Sequence, residues 1–431
     1  MTDVPVGAPR AAVVNLGCRV NRVESDTISR QLAAEGFELV DDEREADVVV
    51  INTCAVTGEA EAKTRKAVRH AAALPGLPLV IATGCAVNLH GEAIEALSGR
   101  VRAVPGKAGV ARAARTGLGL AAPSETGEAG PHGLSGLAGR TRLGVKIQDG
   151  CNHRCTYCIV WKARGPETSV PVEAVVAELA RIADAGIPEV ALTGVNLGAY
   201  RGLASDGGEI GLPGLIEEVL GRTGIPQLRL SSVEPMDIDP ALVSCMASHQ
   251  DRVAPFLHLP LQSGCTATLR RMGRPYSAAA FARTVDRVRT ALPSASVSCD
   301  VIAGFPGETD DEFEQSYAFC ERMGFSRMHV FRYSARPGTP AARAKGQVDP
   351  HVMAERASRL RALARASALS DAAARVGTVE RAVIESGTAG TTSSLHRIVV
   401  EGAPHARAGT LVRVAIMGVD GDGTLHGRVQ I

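Results

Sequence analysis

Short apolar runs alternate with amphipathic stretches from the start of the chain. β-rich runs at Ala11 to Leu16, Val48 to Asn52 and Pro78 to Thr83 are separated by helical patterns at about Val23 to Glu35 and Glu59 to Ala73. Strands alternating with helices imply a parallel sheet, so residues 1–115 are expected to form an α/β domain of parallel βαβ type. Periodicity fades over residues 116–140. Gly, Ala and small polar residues dominate there, with Pro123 and Pro131, and the stretch reads as a linker.

Over residues 141–376 the alternation resumes. β-like runs occur at Leu143 to Gln148, Glu189 to Thr193, Gln227 to Ser231, Phe256 to Leu259, Ser296 to Ile302 and Met328 to Tyr333, with helical patterns between most of them. Six βα-like units predict an incomplete (β/α)6 barrel rather than the full eight. A basic helical stretch, Met353 to Arg375, leads into four β-rich segments near Val379 to Ile384, Arg397 to Glu401, Thr410 to Ile416 and Thr424 to Gln430. Residues 377–431 therefore fit a small OB-like β-barrel.

The 431 residues are 45% hydrophobic, yet the longest apolar runs fall far short of the roughly 20 residues of a membrane helix. No basic and apolar leader pattern opens the chain. A cytoplasmic protein without membrane association is expected. The formal net charge of +1 gives no whole-molecule field for coating a polyanion, so any nucleic-acid contact must be local. Forty-one Arg stand beside six Lys, a skew so general that codon composition explains it better than phosphate recognition does.

Ten Cys without a secreted, disulfide-rich context point to a reducing compartment and thiol ligands. Cys151, Cys155 and Cys158 follow a predicted strand on a loop that begins at Gly150. Three thiolates at this spacing can converge on a 4Fe-4S cubane and leave one iron open to an amino and carboxylate chelator. A zinc knuckle with His153 is the competing reading, although zinc ligands usually come as two separated pairs. The second set is dispersed: Cys18, Cys54 and Cys85 each follow a predicted strand by one or two residues. Loops at the C-terminal edge of a parallel sheet can bring such residues together. Three unrelated buried thiols are the plainer alternative. Cys245, Cys265, Cys299 and Cys320 follow no such pattern.

Together with the motifs Leu192-Thr193-Gly194-Val195-Asn196, Arg229 to Pro235, His258 to Gly264, Asp300 to Thr309 and Tyr333 to Thr339, the two sets resemble the methylthiotransferase family of radical S-adenosylmethionine enzymes. The likeness runs over nearly the whole chain. Cys18-Arg19-Val20-Asn21 and Asn52-Thr53-Cys54-Ala55-Val56-Thr57 are most similar to the branch acting on N6-threonylcarbamoyladenosine beside the tRNA anticodon.

The resemblance implies an N-terminal domain with an auxiliary cluster, a radical core, and a C-terminal TRAM barrel that binds RNA. It implies two 4Fe-4S clusters, on Cys151, Cys155 and Cys158 and on Cys18, Cys54 and Cys85, with S-adenosylmethionine seated by Tyr157, Gly194, Asn196, Ser232, Glu234 and Gln262. The first cluster would generate a 5'-deoxyadenosyl radical that takes hydrogen from adenine C2, and the second would deliver methylated sulfide. Beyond the clusters no catalytic residue is assigned. Implied partners are the tRNA anticodon loop and an electron donor of flavodoxin or ferredoxin type; the sulfur source is open. Cationic candidates for RNA are Arg270, Arg271 and Arg274 near Tyr276, and the helix carrying Arg356, Arg359, Arg361, Arg365 and Arg375, which a solvated helix face explains about as well. Action on another tRNA adenosine or on a protein side chain, and a non-catalytic iron-sulfur RNA-binding protein, are the alternatives.

The chain departs from the family pattern after Cys158. Trp161 replaces a Pro, Arg164 remains, and two later Arg are missing around Thr168 to Val170. Arg332 replaces the usual Pro before Tyr333-Ser334, and Thr391 to His396 replaces an Asn-Tyr element. Both Cys frameworks are intact, so the departures bear on substrate choice.

Overall fold

The computed structural model describes residues 7–120, 141–402 and 407–430. The expected linker lies outside the described residues from residue 121 onward. The chain forms two compact units: residues 1–138 with 158–166, and residues 139–157 with 167–431.

The first unit is a five-stranded parallel sheet of order β2-β1-β3-β4-β5. Its elements are β1 (Arg10–Asn15), α1 (Arg19–Ala34), β2 (Glu38–Leu39), β3 (Val48–Thr53), α2 (Gly58–Ala72), β4 (Leu79–Gly84), α3 (Cys85–Glu95), β5 (Val101–Ala103), α4 (Val110–Gly117) and the short α5 (Val160–Arg164). Central strand β3 is buried at every position, as a strand covered on both faces requires. Val49, Ile51, Val80 and Ala82 pack on one side with Val68 of α2 and Ala163 of α5; Val48, Val50 and Ile81 pack on the other with Ile28 and Leu32 of α1. The three expected strands are present. The edge strands β2 and β5, two and three residues long, are too brief to produce a periodic signal.

The second unit opens with β6 (Arg142–Lys146) and β7 (Gln148–Asp149), the latter paired with β8 (Thr168–Ser169). Then follow α6 (Val172–Asp184), β9 (Glu189–Thr193), the β10 (Gly202–Leu203) and β11 (Glu209–Ile210) pair, α7 (Leu212–Arg222), β12 (Gln227–Leu230), α8 (Pro240–Ser248), β13 (Phe256–His258), α9 (Thr266–Arg271), α10 (Ala278–Ala291), β14 (Ser296–Ala303), α11 (Asp310–Met323), β15 (Arg327–Arg332) and α12 (Pro350–Ala373). Strands β6, β9 and β12 pair in parallel, as do β13, β14 and β15. Single parallel bridges, Leu228 to Val253 and Ser232 to His258, join the two sets. Among the described residues no pairing links β15 back to β6, so the six-stranded barrel is incomplete, as expected.

The last domain is a closed barrel of five strands, β16 (Val379–Ser386), β17 (Ala389–Thr392), β18 (Arg397–Glu401), β19 (Leu411–Val419) and β20 (Leu425–Val429). The sequence pattern predicts four. The additional strand, Ala-Gly-Thr-Thr, lacks alternating large apolar side chains and declares itself only through pairing with β16 and β18. Arg229 ties this barrel to the core: it pairs with Glu189 at 2.8 Å and donates to the carbonyls of Ser393 (2.8 Å) and Thr392 (3.3 Å), all buried. No helix among the described residues is long and apolar enough to cross a membrane.

Candidate functional site

In the first unit Cys18, Cys54 and Cys85 come to one edge of the sheet, because each follows the C-terminal end of one of the adjacent strands β1, β3 and β4. Cys18 is the N-cap of α1 and Cys85 the first residue of α3, so two thiols stand at helix N-termini. Packing is close. A Cβ on Gly17 would lie 3.0 Å from Cys54 Cβ and 2.9 Å from Asn21 Nδ2. Burial pushes the Cys54 thiol up; the neighbouring Cys18 and Cys85 add to this and Arg164 opposes it. Burial also raises Cys85, against the cations Arg164 and Lys107. All three thiols are free of disulfides.

Asn21 and Asn52 frame this edge. Asn21 Nδ2 donates to the Thr53 carbonyl at 2.8 Å, Asn52 Nδ2 donates to the Asn21 carbonyl at 2.8 Å, and Cys18 Sγ lies 3.5 Å from Asn21 Oδ1. Three soft donors at one sheet edge, Cys54 and Cys85 buried and Cys18 exposed, fit a thiophilic centre such as an iron-sulfur cluster.

In the second unit the loop carrying Cys151 and Cys155 is fastened by backbone. Thr156 N donates to the Met272 carbonyl (2.9 Å), Ala341 N to the Thr156 carbonyl (2.9 Å), and Thr156 Oγ1 to the Arg271 carbonyl (2.8 Å). Arg274 Nη1 reaches Cys155 Sγ at 3.4 Å. Cys158 begins the segment that belongs to the first unit, where Val160 N points to its sulfur at 3.4 Å. N–H donors directed at sulfur suit cluster thiolates, whose potentials respond to such hydrogen bonds.

The residues expected to seat S-adenosylmethionine lie at or just beyond strand ends. Gly194 follows β9 and leaves room for Gln148, whose Oε1 would be 2.9 Å from a Cβ there. That oxygen accepts from Val195 N (2.9 Å) and Asn196 N (2.8 Å), while Gln148 Nε2 donates to the Gly150 carbonyl (3.0 Å). Gln148 thus binds the β9 loop to the Cys loop. Asn196 is 3% exposed; its Nδ2 donates to Glu167 at 3.3 Å, and its Oδ1 is buried without a partner among the described residues. A buried acceptor of this kind is left to be satisfied by a ligand hydroxyl or amine.

Glu234 follows β12 and is held by Arg274 through both guanidinium nitrogens. Ser232 bridges to His258, and Gln262 adopts a φ of 69° while its backbone pairs with β14. A positive φ in a non-glycine residue is strained, and such strain concentrates at functional sites. Tyr157 lies edge-on to Phe305 at 6.3 Å.

Two local signals were available for groups that sequence reasoning passed over. Gln148 ends a predicted strand immediately before the Cys loop. His258 and Asp300 lie inside recognised motifs and, with His329, face one another on β13, β14 and β15, with all three ligand atoms within 4.8 Å. His258 Nδ1 also meets Ser298 Oγ at 2.9 Å.

The cationic groups considered for RNA require correction. Arg274, Arg356 and Arg375 are buried, paired respectively with Glu234, with Glu308 and Asp310, and with Asp371 and Glu380. Arg271 is held by Glu312, and Arg359 by Glu314. Apart from Asp371, four residues before Arg375, these partners are at least five residues away in sequence, most of them 40 or more. Arg270, Arg361 and Arg365 are exposed.

Two family models match the chain: the family described as uncharacterized protein family UPF0004 over residues 10–106, and the radical SAM superfamily over residues 145–320. The threonylcarbamoyladenosine tRNA methylthiotransferase MtaB of Bacillus subtilis is 36% identical over 364 residues, which cover 81% of this chain and 79% of the relative. The chain belongs to the radical S-adenosylmethionine methylthiotransferase family. Its membership makes it an enzyme that uses S-adenosylmethionine and a 4Fe-4S cluster. A relative in Novosphingobium aromaticivorans, tRNA-2-methylthio-N(6)-dimethylallyladenosine synthase, is 33% identical over 358 residues, covering 81% of each chain. In fold the protein is similar to the radical S-adenosylmethionine methyltransferase TsrM of Kitasatospora setae, with a TM-score of 0.55, 16% identity and coverage of 78% of this chain and 77% of that one.

Proposed function

We propose that this methylthiotransferase acts on tRNA, converting N6-threonylcarbamoyladenosine beside the anticodon to its 2-methylthio derivative in the cytoplasm. The observation that carries the sulfur-transfer part is the gathering of Cys18, Cys54 and Cys85 at adjacent strand ends. The nucleoside reading is supported by the motifs around Cys18 and Cys54 and by a relative named for that nucleoside at 36% identity.

When bound, S-adenosylmethionine and the cluster of Cys151, Cys155 and Cys158 supply radical chemistry, and a second cluster on Cys18, Cys54 and Cys85 supplies sulfur. Asn196 Oδ1 is placed to accept from the cofactor, and Gln148 holds the loop that carries it. Glu234, oriented by Arg274, offers a carboxylate oxygen to a hydroxyl or ammonium. Tyr157, packed on Phe305, fixes the backbone of the Cys loop from which the adenine would be held. Gln262 adds a side-chain amide at the mouth of β13. An electron donor of flavodoxin or ferredoxin type completes the reaction.

Mass analysis of bulk tRNA from a deletion strain tests this reading. Loss of 2-methylthio-N6-threonylcarbamoyladenosine, restored by the intact gene and not by a Cys54→Ala copy, is expected. Loss of the 2-methylthio dimethylallyl derivative instead would move the substrate to the other branch, which relatives at 33% identity keep in view. Unchanged tRNA would refute both.

A further inference from the structure

Arg164 lies six residues after Cys158, and its side chain is 4% exposed. It closes α5, a five-residue helix fixed to α3 by Asn88 Nδ2 donating to the Ala163 carbonyl at 2.7 Å. Its guanidinium donates to Glu24 at 2.9 and 3.1 Å and to Asn21 Oδ1 at 2.9 Å. Asn21 Oδ1 also accepts from Cys18 Sγ at 3.5 Å. Glu24 in turn meets Lys107 at 2.8 Å.

Lys107 and Arg164 both meet Glu24 beside the three thiols, and at Cys85 the two cations outweigh that carboxylate. A cluster held by three thiolates is anionic and becomes more so on reduction. A fixed cation at this position favours the reduced form, and burial leaves it little screened.

We propose that Arg164 is a positioning residue for the auxiliary cluster: it orients the Cys18 loop through Asn21 and raises the cluster's reduction potential. The proposal rests on the reading of Cys18, Cys54 and Cys85 as a cluster site.

The test uses the full chain with Cys151, Cys155 and Cys158 replaced by Ala, loaded anaerobically with iron and sulfide and titrated under EPR. Iron in this parent protein establishes the auxiliary cluster; its absence would remove that reading and, with it, the role of Arg164. With the cluster present, Arg164→Met should lower the reduced-to-oxidised ratio at fixed potential about tenfold, equivalent to about 59 mV for one electron, while Arg164→Lys should stay within about threefold of the parent. Glu24→Gln, which removes the anion and keeps both cations, should shift the ratio the opposite way and serves where Arg164→Met does not fold. Equal potentials in the parent and the folded variants would overturn the proposal. So would loss of iron from both Arg164 variants, because charge would then not be the reason for the residue.

Discussion

Replacing Gly84 by Ala tests how tightly the Cys85 loop is built. Gly84 has a φ of 97° and precedes Cys85 directly. A Cβ there would stand 2.6 Å from Asn52 Oδ1 and 2.7 Å from the Thr53 carbonyl. Asn52 cannot swing away cheaply, because its Nδ2 is bonded to the Asn21 carbonyl at 2.8 Å and to Ser25 Oγ at 3.1 Å. The backbone conformation alone costs about 1–3 kcal/mol in a non-glycine residue, and forcing an extra carbon into a packed site adds about 1–3 kcal/mol. The sum, about 2–6 kcal/mol, is a large fraction of the roughly 5–15 kcal/mol that holds a domain folded. Gly36 provides the control, since its φ is 84° but a Cβ would meet nothing within 4 Å. Gly36→Ala should cost only about 1–2 kcal/mol. Urea unfolding of the metal-free variants, followed by iron loading of the folded protein, measures both effects. Gly84→Ala should unfold at distinctly lower urea than Gly36→Ala and should bind less iron at the N-terminal site. Equal midpoints with full iron would refute the reasoning.

Four further outcomes are expected. Cys54→Ala should abolish methylthiolation yet still release 5'-deoxyadenosine from S-adenosylmethionine under reducing, anaerobic conditions; chromatography of the quenched reaction checks this. Glu234→Gln, which leaves Arg274 as a buried cation without its carboxylate, should destabilise the second unit by about 3–5 kcal/mol in urea and weaken S-adenosylmethionine binding in equilibrium dialysis. Arg229→Ala should destabilise the second unit by about 3–5 kcal/mol in urea, because Glu189 is left as a buried, uncompensated charge. For Asp371, burial pushes the carboxyl up but the hydrogen bond from His396 and the charge of Arg375 bring it below its ordinary value. A folded pKa below the unfolded one contributes stability above the unfolded pKa that is lost as pH falls, so the urea midpoint should drop between about pH 5 and pH 3, and by less in Asp371→Asn.

The alternation of the sequence made most of the fold legible, since strands such as Glu189–Thr193 and Arg397–Glu401 carry both an apolar pattern and clear breaks at their ends. β17 escaped because its residues have no pattern of their own and are held by neighbours distant in sequence. The meeting of Cys18, Cys54 and Cys85 could be inferred because a parallel sheet delivers successive strand ends to one edge. Ion pairing could not. Glu24 and Arg164 are 140 residues apart, and Arg274 and Glu234 are 40 apart, so charge read along the chain credits to solvent, or to RNA, groups that the fold spends on one another. Gln148 went unnoticed for a related reason: its role is to join two loops, and that role exists only once both are folded.

Iron and acid-labile sulfide content of anaerobically prepared full-length protein addresses the central claim most directly. Intact protein should carry about eight irons and about eight sulfides per chain, and protein with Cys18, Cys54 and Cys85 all replaced by Ala about four of each. An unchanged count after those replacements, or zinc in place of iron at the N-terminal site, would contradict it.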